Sequence, residues 1–192
     1  MKKLMVLGGS LFALPAINAA HKQGYYVITC DYLPDNIAHK YSDEYHDVSV
    51  IDCEAVLKVA RECEIDGITS FACDAGAIAA AYVQEKMGLP SIGPYESVCI
   101  LQNKDKFRQF LSEHGFTVPK AKGFFSVKEA LADECWYPWP VIVKPTDSAG
   151  SKGVTRVDSF EELKPALERA FEHALRGHVI VEEFIEKQRC SS

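Results

Sequence analysis

Three short apolar runs, Leu4–Leu7, Tyr25–Cys30 and Gly67–Phe71, are each followed by a stretch with helical spacing, and this alternation constrains the fold most. Ser10–Gln23 places Leu11, Leu14, Ile17 and Ala20 on one side of a helix that Gly24 closes. Glu54–Glu62 turns Val56, Leu57 and Ala60 inward, and Ala75–Met87 is stopped by Gly88 and Pro90. This order predicts a parallel sheet joined by right-handed crossovers. The expected fold class is therefore α/β, with a Rossmann-like domain over residues 1–95.

A connecting helix, Lys104–His114, is expected within 96–117, ending at Gly115. Beyond it, over 118–192, the pattern becomes α+β. Ser126 and Glu129 have the spacing of a capping box, and Ser159 with Glu162 repeats it before a helix expected to reach about Arg176. Val141–Lys144 reads as an apolar strand, Thr146–Gly153 as a small polar loop, and Val154–Val157 as a strand returning in a hairpin. Val179–Val181 is a last strand, running into Glu182, Glu183, Phe184 and Ile185. No internal repeat is visible.

Composition narrows the function classes. The 192 residues are 47% hydrophobic and 25% charged, which excludes a disordered chain. Lys and Arg total 21 against 27 Asp and Glu, so no basic surplus exists for a nucleic-acid backbone. The seven cysteines are widely spaced, with no C-x-x-C pair, and read as reduced thiols of a cytoplasmic protein rather than a disulfide or zinc framework. Lys2 and Lys3 before the apolar Leu4–Ile17, with Ala19-Ala20 behind, imitate a secretory signal. Gly8-Gly9-Ser10 breaks that run, so it reads as a strand and a turn. No run of 18 apolar residues suggests a membrane span.

Two places carry candidate chemistry. Gly8-Gly9-Ser10-Leu11-Phe12-Ala13 is a degraded G-x-G-x-x-G/A, with Asp31 at the end of the next strand. Ser10 stands where a second glycine should let a pyrophosphate approach, so a plain tight turn is favoured over nicotinamide binding. Cys73-Asp74 follows another strand end and could face a cleft. The second place is Lys144 at the end of an apolar strand, beside Ser148, Ala149, Gly150, Ser151, Lys152 and Gly153. An ammonium there must find an anion or solvent, because desolvating an unpaired charge costs several kcal/mol. The small residues beside it can turn backbone N–H groups toward the same anion. No G-x-x-x-x-G-K-[ST] is present. Lys104 and Lys106 stand between the two regions. The six histidines are scattered without ligand spacing and read as structural or surface residues.

Taken in order, the strand–glycine turn, Asn103-Lys104-Asp105-Lys106-Phe107, Gly115-Phe116-Thr117-Val118-Pro119, Pro140-Val141-Ile142-Val143-Lys144-Pro145, the glycine loop and Val181-Glu182-Glu183-Phe184-Ile185-Glu186 resemble the ATP-grasp superfamily. The resemblance is to carbamoyl-phosphate-synthase-like and biotin-carboxylase-like ligases, and it spans essentially the whole chain. It implies a pre-ATP-grasp domain in which Gly8, Gly9, Ser10, Asp31 and Asp74 lie on the substrate side. It also implies that Lys106, or Lys104 in the alternate register, and Lys144 contact the nucleotide, and that Ser148–Gly153 is a phosphate lid. Glu182 would meet the adenine amino group, while Glu183, Phe184 and Ile185 form the segment that reads the adenine edge. The implied activity is ATP-dependent activation of a small-molecule carboxylate, or bicarbonate, for attack by an amine, with no nucleic-acid or membrane partner and a homodimer allowed. Magnesium ligands are expected outside this sequence, and Arg189 stands near the place of a ribose-contacting acid. The expectation is therefore a fragment of a larger ligase, catalytically incomplete alone. Its rivals are an NAD(P)-binding Rossmann oxidoreductase and a non-catalytic partner-binding module.

Overall fold

The structure is a computed structural model that describes residues 1–91 and 93–186. Arg189 and Cys190 lie outside the described residues. The chain divides into two compact units, Met1–Cys99 and Ile100–Ser192.

The first unit contains β1 (Lys3–Leu7), α1 (Leu14–Lys22), β2 (Tyr26–Asp31), β3 (Glu44–Asp47), α2 (Cys53–Glu62), β4 (Gly67–Thr69), α3 (Ala77–Met87) and α4 (Tyr95–Gln102, which runs past the boundary). Its strands form a parallel sheet in the order β3-β2-β1-β4. Both faces are apolar, as a sheet covered on both sides requires. Met5 and Leu7 join Ile28, Val56, Ala60 and Val83 on the α2–α3 side, whereas Val6 and Val27 meet Ile17 and Ala20 of α1 on the other.

Three local expectations change. The first helix does not start at Ser10: residues Leu11–Ala13 form a 3-10 turn, and the α-helix begins at Leu14 with Pro15 in its first turn. Proline lacks an N–H and presets φ, so it belongs at a helix start. Leu11, expected inward, is consequently 60% exposed. Strand β3 was not expected, because Glu-Tyr-His-Asp carries no apolar run. It pairs with β2 at the sheet edge. The segment 96–117 carries two helices rather than one, α4 and α5 (Lys104–Glu113), separated at Asn103.

The second unit continues with β5 (Ala121–Phe124), α6 (Val127–Leu131), β6 (Val141–Pro145), β7 (Thr155–Val157), α7 (Leu163–Glu172) and β8 (Val179–Glu183). These strands form an antiparallel sheet in the order β5-β8-β6-β7, and β6–β7 is the expected hairpin. Phe124, Val141, Val143, Val157, Val179 and Val181 pack against Ala130 of α6 and Leu163, Ala166, Leu167 and Ala170 of α7. Ser126 caps α6 by accepting the Glu129 N–H, while the Glu129 carboxylate takes the Phe125 N–H. Ser159 makes no such cap. A 3-10 turn, Phe160–Glu162, precedes α7 there, and the Glu162 carboxylate accepts the Asp158 N–H. Helix α7 ends at Glu172 instead of near Arg176, because the Asp147 carboxylate accepts the N–H groups of Leu175 and Arg176 at 3.0 and 2.9 Å.

Among the described residues no helix is long and apolar enough to cross a membrane, and none of the six described cysteines forms a disulfide.

Candidate functional site

Strand alternation decides where the charges of the second unit go. With Val141 and Val143 turned to α7, Ile142 and Lys144 of β6 must face the other way, and so must Ile180 and Glu182 of β8. Ile142 lies opposite Glu182 in the register and Lys144 opposite Ile180, so the lysine and the acid are diagonal neighbours. Lys144 Nζ donates to Glu182 Oε1, and their side chains are only 15% and 9% exposed. The Arg108 guanidinium of α5 lies 3.4 Å from Glu182 Oε2.

Helix α5 reaches this face through Lys104, its first residue. The Lys104 N–H donates to the Thr146 carbonyl, and its Nζ donates to the carbonyls of Thr146 and Ser148 at 3.1 and 2.9 Å. Burial, then the charge of nearby Lys144, lowers the Lys104 pKa below the usual lysine range. Lys106 is exposed. Two residues along a helix is a rotation of about 200°, so only one of these lysines can face the loop. Arg108 is one turn on from Lys104 and shares its face, a spacing that could have identified it from the sequence.

The loop after β6 is held at its base and open at its tip. The buried Thr146 donates its N–H and its hydroxyl to the His178 carbonyl. Asp147 grips the Leu175–Arg176 backbone, as above. Ser148 is half-buried, Ala149, Gly150, Ser151 and Lys152 are exposed, and Gly153 is buried against His173 and Pro145. Gly150, Ser151 and Gly153 have φ of 68°, 57° and 69°. That left-handed run costs a non-glycine side chain energy and is characteristic of functional loops.

At the end of β8, the Glu183 N–H donates to the Lys120 carbonyl and its carboxylate accepts the Lys120 N–H. The Phe184 N–H donates to the Pro140 carbonyl, and its ring lies 4.4 Å from the Arg156 guanidinium carbon. Ile185 is exposed. A groove of about 790 Å³ beside α5 and β5 is lined by Asp105, Arg108, Lys120, Gly123, Phe125 and His178, among others. His178, which sequence spacing left as a structural or surface residue, stacks on Phe125 and lies 3.5 Å from Asp105. Three buried polar atoms of this unit make no hydrogen bond among the described residues: Asp105 Oδ1, and Arg108 Nε and Glu182 Oε2, which meet each other only as the 3.4 Å ion pair. Orphaned buried polar atoms are rare in proteins. Asp105 Oδ1 is the atom left for a polar ligand to complete.

In the first unit, Gly8, Asp31 and Asp74 follow or end β1, β2 and β4, at the carboxyl ends of a parallel sheet where ligands of α/β folds bind. Asp31 is committed locally. Its Oδ2 accepts the Gly9 N–H at 2.7 Å and the Asn36 amide at 2.9 Å, and its Oδ1 accepts the Leu33 N–H. A Cβ at Gly9 would lie 2.3 Å from His39 Cε1, so that glycine is required by packing. Gly8 and Gly9 are buried, whereas Ser10 and Asp74 are exposed. Asp31 thus locks the glycine turn instead of offering its oxygens to a ribose.

Residues 110–191 match the family model described as D-ala D-ala ligase C-terminus. The chain is 32% identical over 187 residues to the formate-dependent phosphoribosylglycinamide formyltransferase of Synechococcus sp. (strain WH7803), covering 95% of this chain and 48% of that protein. It is 26% identical over 174 residues to the carbamoyl phosphate synthase large chain of Pseudothermotoga lettingae, covering 89% of this chain and 16% of that one. Its fold matches the biotin carboxylase domain of Hydrogenobacter thermophilus 2-oxoglutarate carboxylase, crystallised with MgADP, ADP and bicarbonate. The TM-score is 0.66 at 22% identity, with 96% of this chain and 44% of that one covered. The chain spans about half the length of the formyltransferases it matches. In its parallel unit, its four-stranded antiparallel unit with the lysine-bearing hairpin, and these matches, the chain is similar to the ligases of the ATP-grasp superfamily.

Proposed function

We propose that the sheet face bearing Lys144 and Glu182 is one wall of an ATP site in a ligase that activates a carboxylate, or bicarbonate, as an acyl phosphate for attack by an amine. Two ammonium groups, Lys104 and Lys144, set beside the buried Glu182 carboxylate on the side that α6 and α7 leave uncovered, carry this reading. Lys104, and not Lys106, is the first nucleotide lysine in it, because only Lys104 reaches the loop. Lys144 is the second. Residues Ser148–Gly153 form the phosphate lid, Glu182 accepts from the adenine amine, and Glu183–Ile185 lines the adenine edge. Phosphoryl transfer asks a protein mainly for positioning and for cations near the transferred oxygens. Magnesium, when bound, would supply further positive charge. Glu182 and Asp147 are already engaged by Lys144 and by backbone N–H groups, so its ligands are assigned to the part of such ligases that this sequence does not span. The Gly8–Ser10 turn with Asp31 and Asp74 forms the acceptor side of the first unit in this reading.

Thermal unfolding with Mg-ATP or Mg-ADP tests it. At about 100 times the dissociation constant the nucleotide should add roughly 2.7 kcal/mol of stability, and NAD should add none. A melting temperature indifferent to adenine nucleotides, or one raised by NAD, overturns the assignment.

A pH dependence follows from Lys104. Its lowered pKa means that the folded protein disfavours the charged form, so stability should rise with pH through the lowered value. A bound polyphosphate offsets this and restores the proton. ATP affinity should therefore fall as pH rises through the same window, with proton uptake on binding measurable by calorimetry in buffers of different ionisation enthalpy. Lys104→Met should bind more weakly and lose that alkaline slope.

A further inference from the structure

Away from the nucleotide face, three side chains of the first unit converge. Glu44 and His46 are two apart on β3 and so share one side of that strand. Cys63 follows the last turn of α2 and lies against them. Cys63 Sγ is 3.4 Å from His46 Nε2 and 3.8 Å from Glu44 Oε1, and His46 Nε2 is 2.7 Å from that same oxygen. Among the described residues this is the one set of three such ligand atoms lying within 4.8 Å of one another.

We propose that Glu44, His46 and Cys63 form a binding site for a zinc-type divalent cation, with the fourth position open to water or a small ligand. Zinc takes thiolate sulfur at about 2.3 Å and imidazole nitrogen or carboxylate oxygen at about 2.0–2.2 Å, so tetrahedral neighbours stand roughly 3.3–3.6 Å apart. The sulfur is already close to that spacing from both partners. The His46–Glu44 pair, now 2.7 Å apart, must open by about 0.6–0.9 Å, as exchanging a hydrogen bond for two metal bonds requires. Nitrogen, sulfur and a single carboxylate favour zinc or cobalt over magnesium or calcium. A supporting contact is present, since the Tyr26 hydroxyl donates to Glu44 Oε2 at 3.2 Å. Access is present as well: Cys63 is buried, but His46 and Glu44 are 29% and 37% exposed. An edge strand often carries charges only to discourage association with other strands. A buried thiol aimed at both charges goes beyond that purpose. The sequence could not show the set, because its members come from a strand and a helix end 17 to 19 residues apart.

Cobalt(II) added to the metal-stripped full chain is the probe. A thiolate-to-cobalt absorption band should appear, saturate at one ion per chain and disappear on adding zinc. Cys63→Ser should abolish the band. His46→Gln, at a half-exposed position that tolerates substitution, should weaken cobalt binding at least about tenfold, and Tyr26→Phe should weaken it less. If Cys63→Ser does not fold, as judged by far-ultraviolet circular dichroism, His46→Gln decides. Absence of the band, its survival in folded Cys63→Ser, or unchanged affinity in His46→Gln each overturns the site.

Discussion

Lys144→Ala is expected to abolish the stabilisation that Mg-ATP confers and to weaken the protein without nucleotide. The two losses have different causes. In the proposed site, nucleotide binding should fail because the ammonium assigned to the phosphates is gone. Intrinsic stability falls because Glu182, only 9% exposed, loses its direct donor. Breaking a buried ion pair from one side costs about 3–5 kcal/mol when the remaining charge is left alone. Arg108 stays 3.4 Å from Glu182, so a smaller loss, about 1–3 kcal/mol, is expected here. Urea unfolding with and without ATP separates the two effects. In the double variant Lys144→Met, Glu182→Leu, the buried charges are replaced together, so stability should largely return while the response to ATP stays absent. If Lys144→Ala keeps a full ATP response, the nucleotide reading fails whatever happens to stability.

Phe124→Ala should cost more, about 3–5 kcal/mol, because it empties the centre of the second unit's core. Phe124 is fully buried, with the rings of Trp136 and Tyr137 at 6.5 and 6.3 Å between centroids. Both tryptophans of the chain, Trp136 and Trp139, pack on this core, so tryptophan emission reports the second unit alone. Its urea midpoint should drop sharply in Phe124→Ala, while circular dichroism from the first unit persists to higher denaturant. A midpoint unchanged in emission would mean that Phe124 does not hold the sheet to α7.

Elements with a buried apolar stripe were legible in the sequence. Leu4–Leu7, Val141–Lys144 and Val179–Val181 announce strands because hydrocarbon there has nowhere else to go. Strands β3 and β5 did not, since Glu-Tyr-His-Asp and Ala-Lys-Gly-Phe lie at sheet edges and form through backbone pairing with a neighbour. Helix starts were misplaced where a 3-10 turn precedes the α-helix, as at Leu11–Ala13 and Phe160–Glu162, because propensity does not distinguish those first turns. In the candidate site, Lys144 stood out as a charge ending an apolar run. The choice between Lys104 and Lys106 needed helix phase, which the motif alone does not contain. Arg108 was overlooked because a cation in a helix is ordinary until its partner on β8 is known.

The placement of Lys144 and Glu182 on adjacent strands also bears on how the sheet assembles. A slip of one residue between β6 and β8 would swing one of the two charges, Lys144 or Glu182, under α7, into hydrocarbon, and push that strand's valines out toward water. The pair assigned to the proposed site therefore also works against misaligned sheets that a purely aliphatic ladder would tolerate.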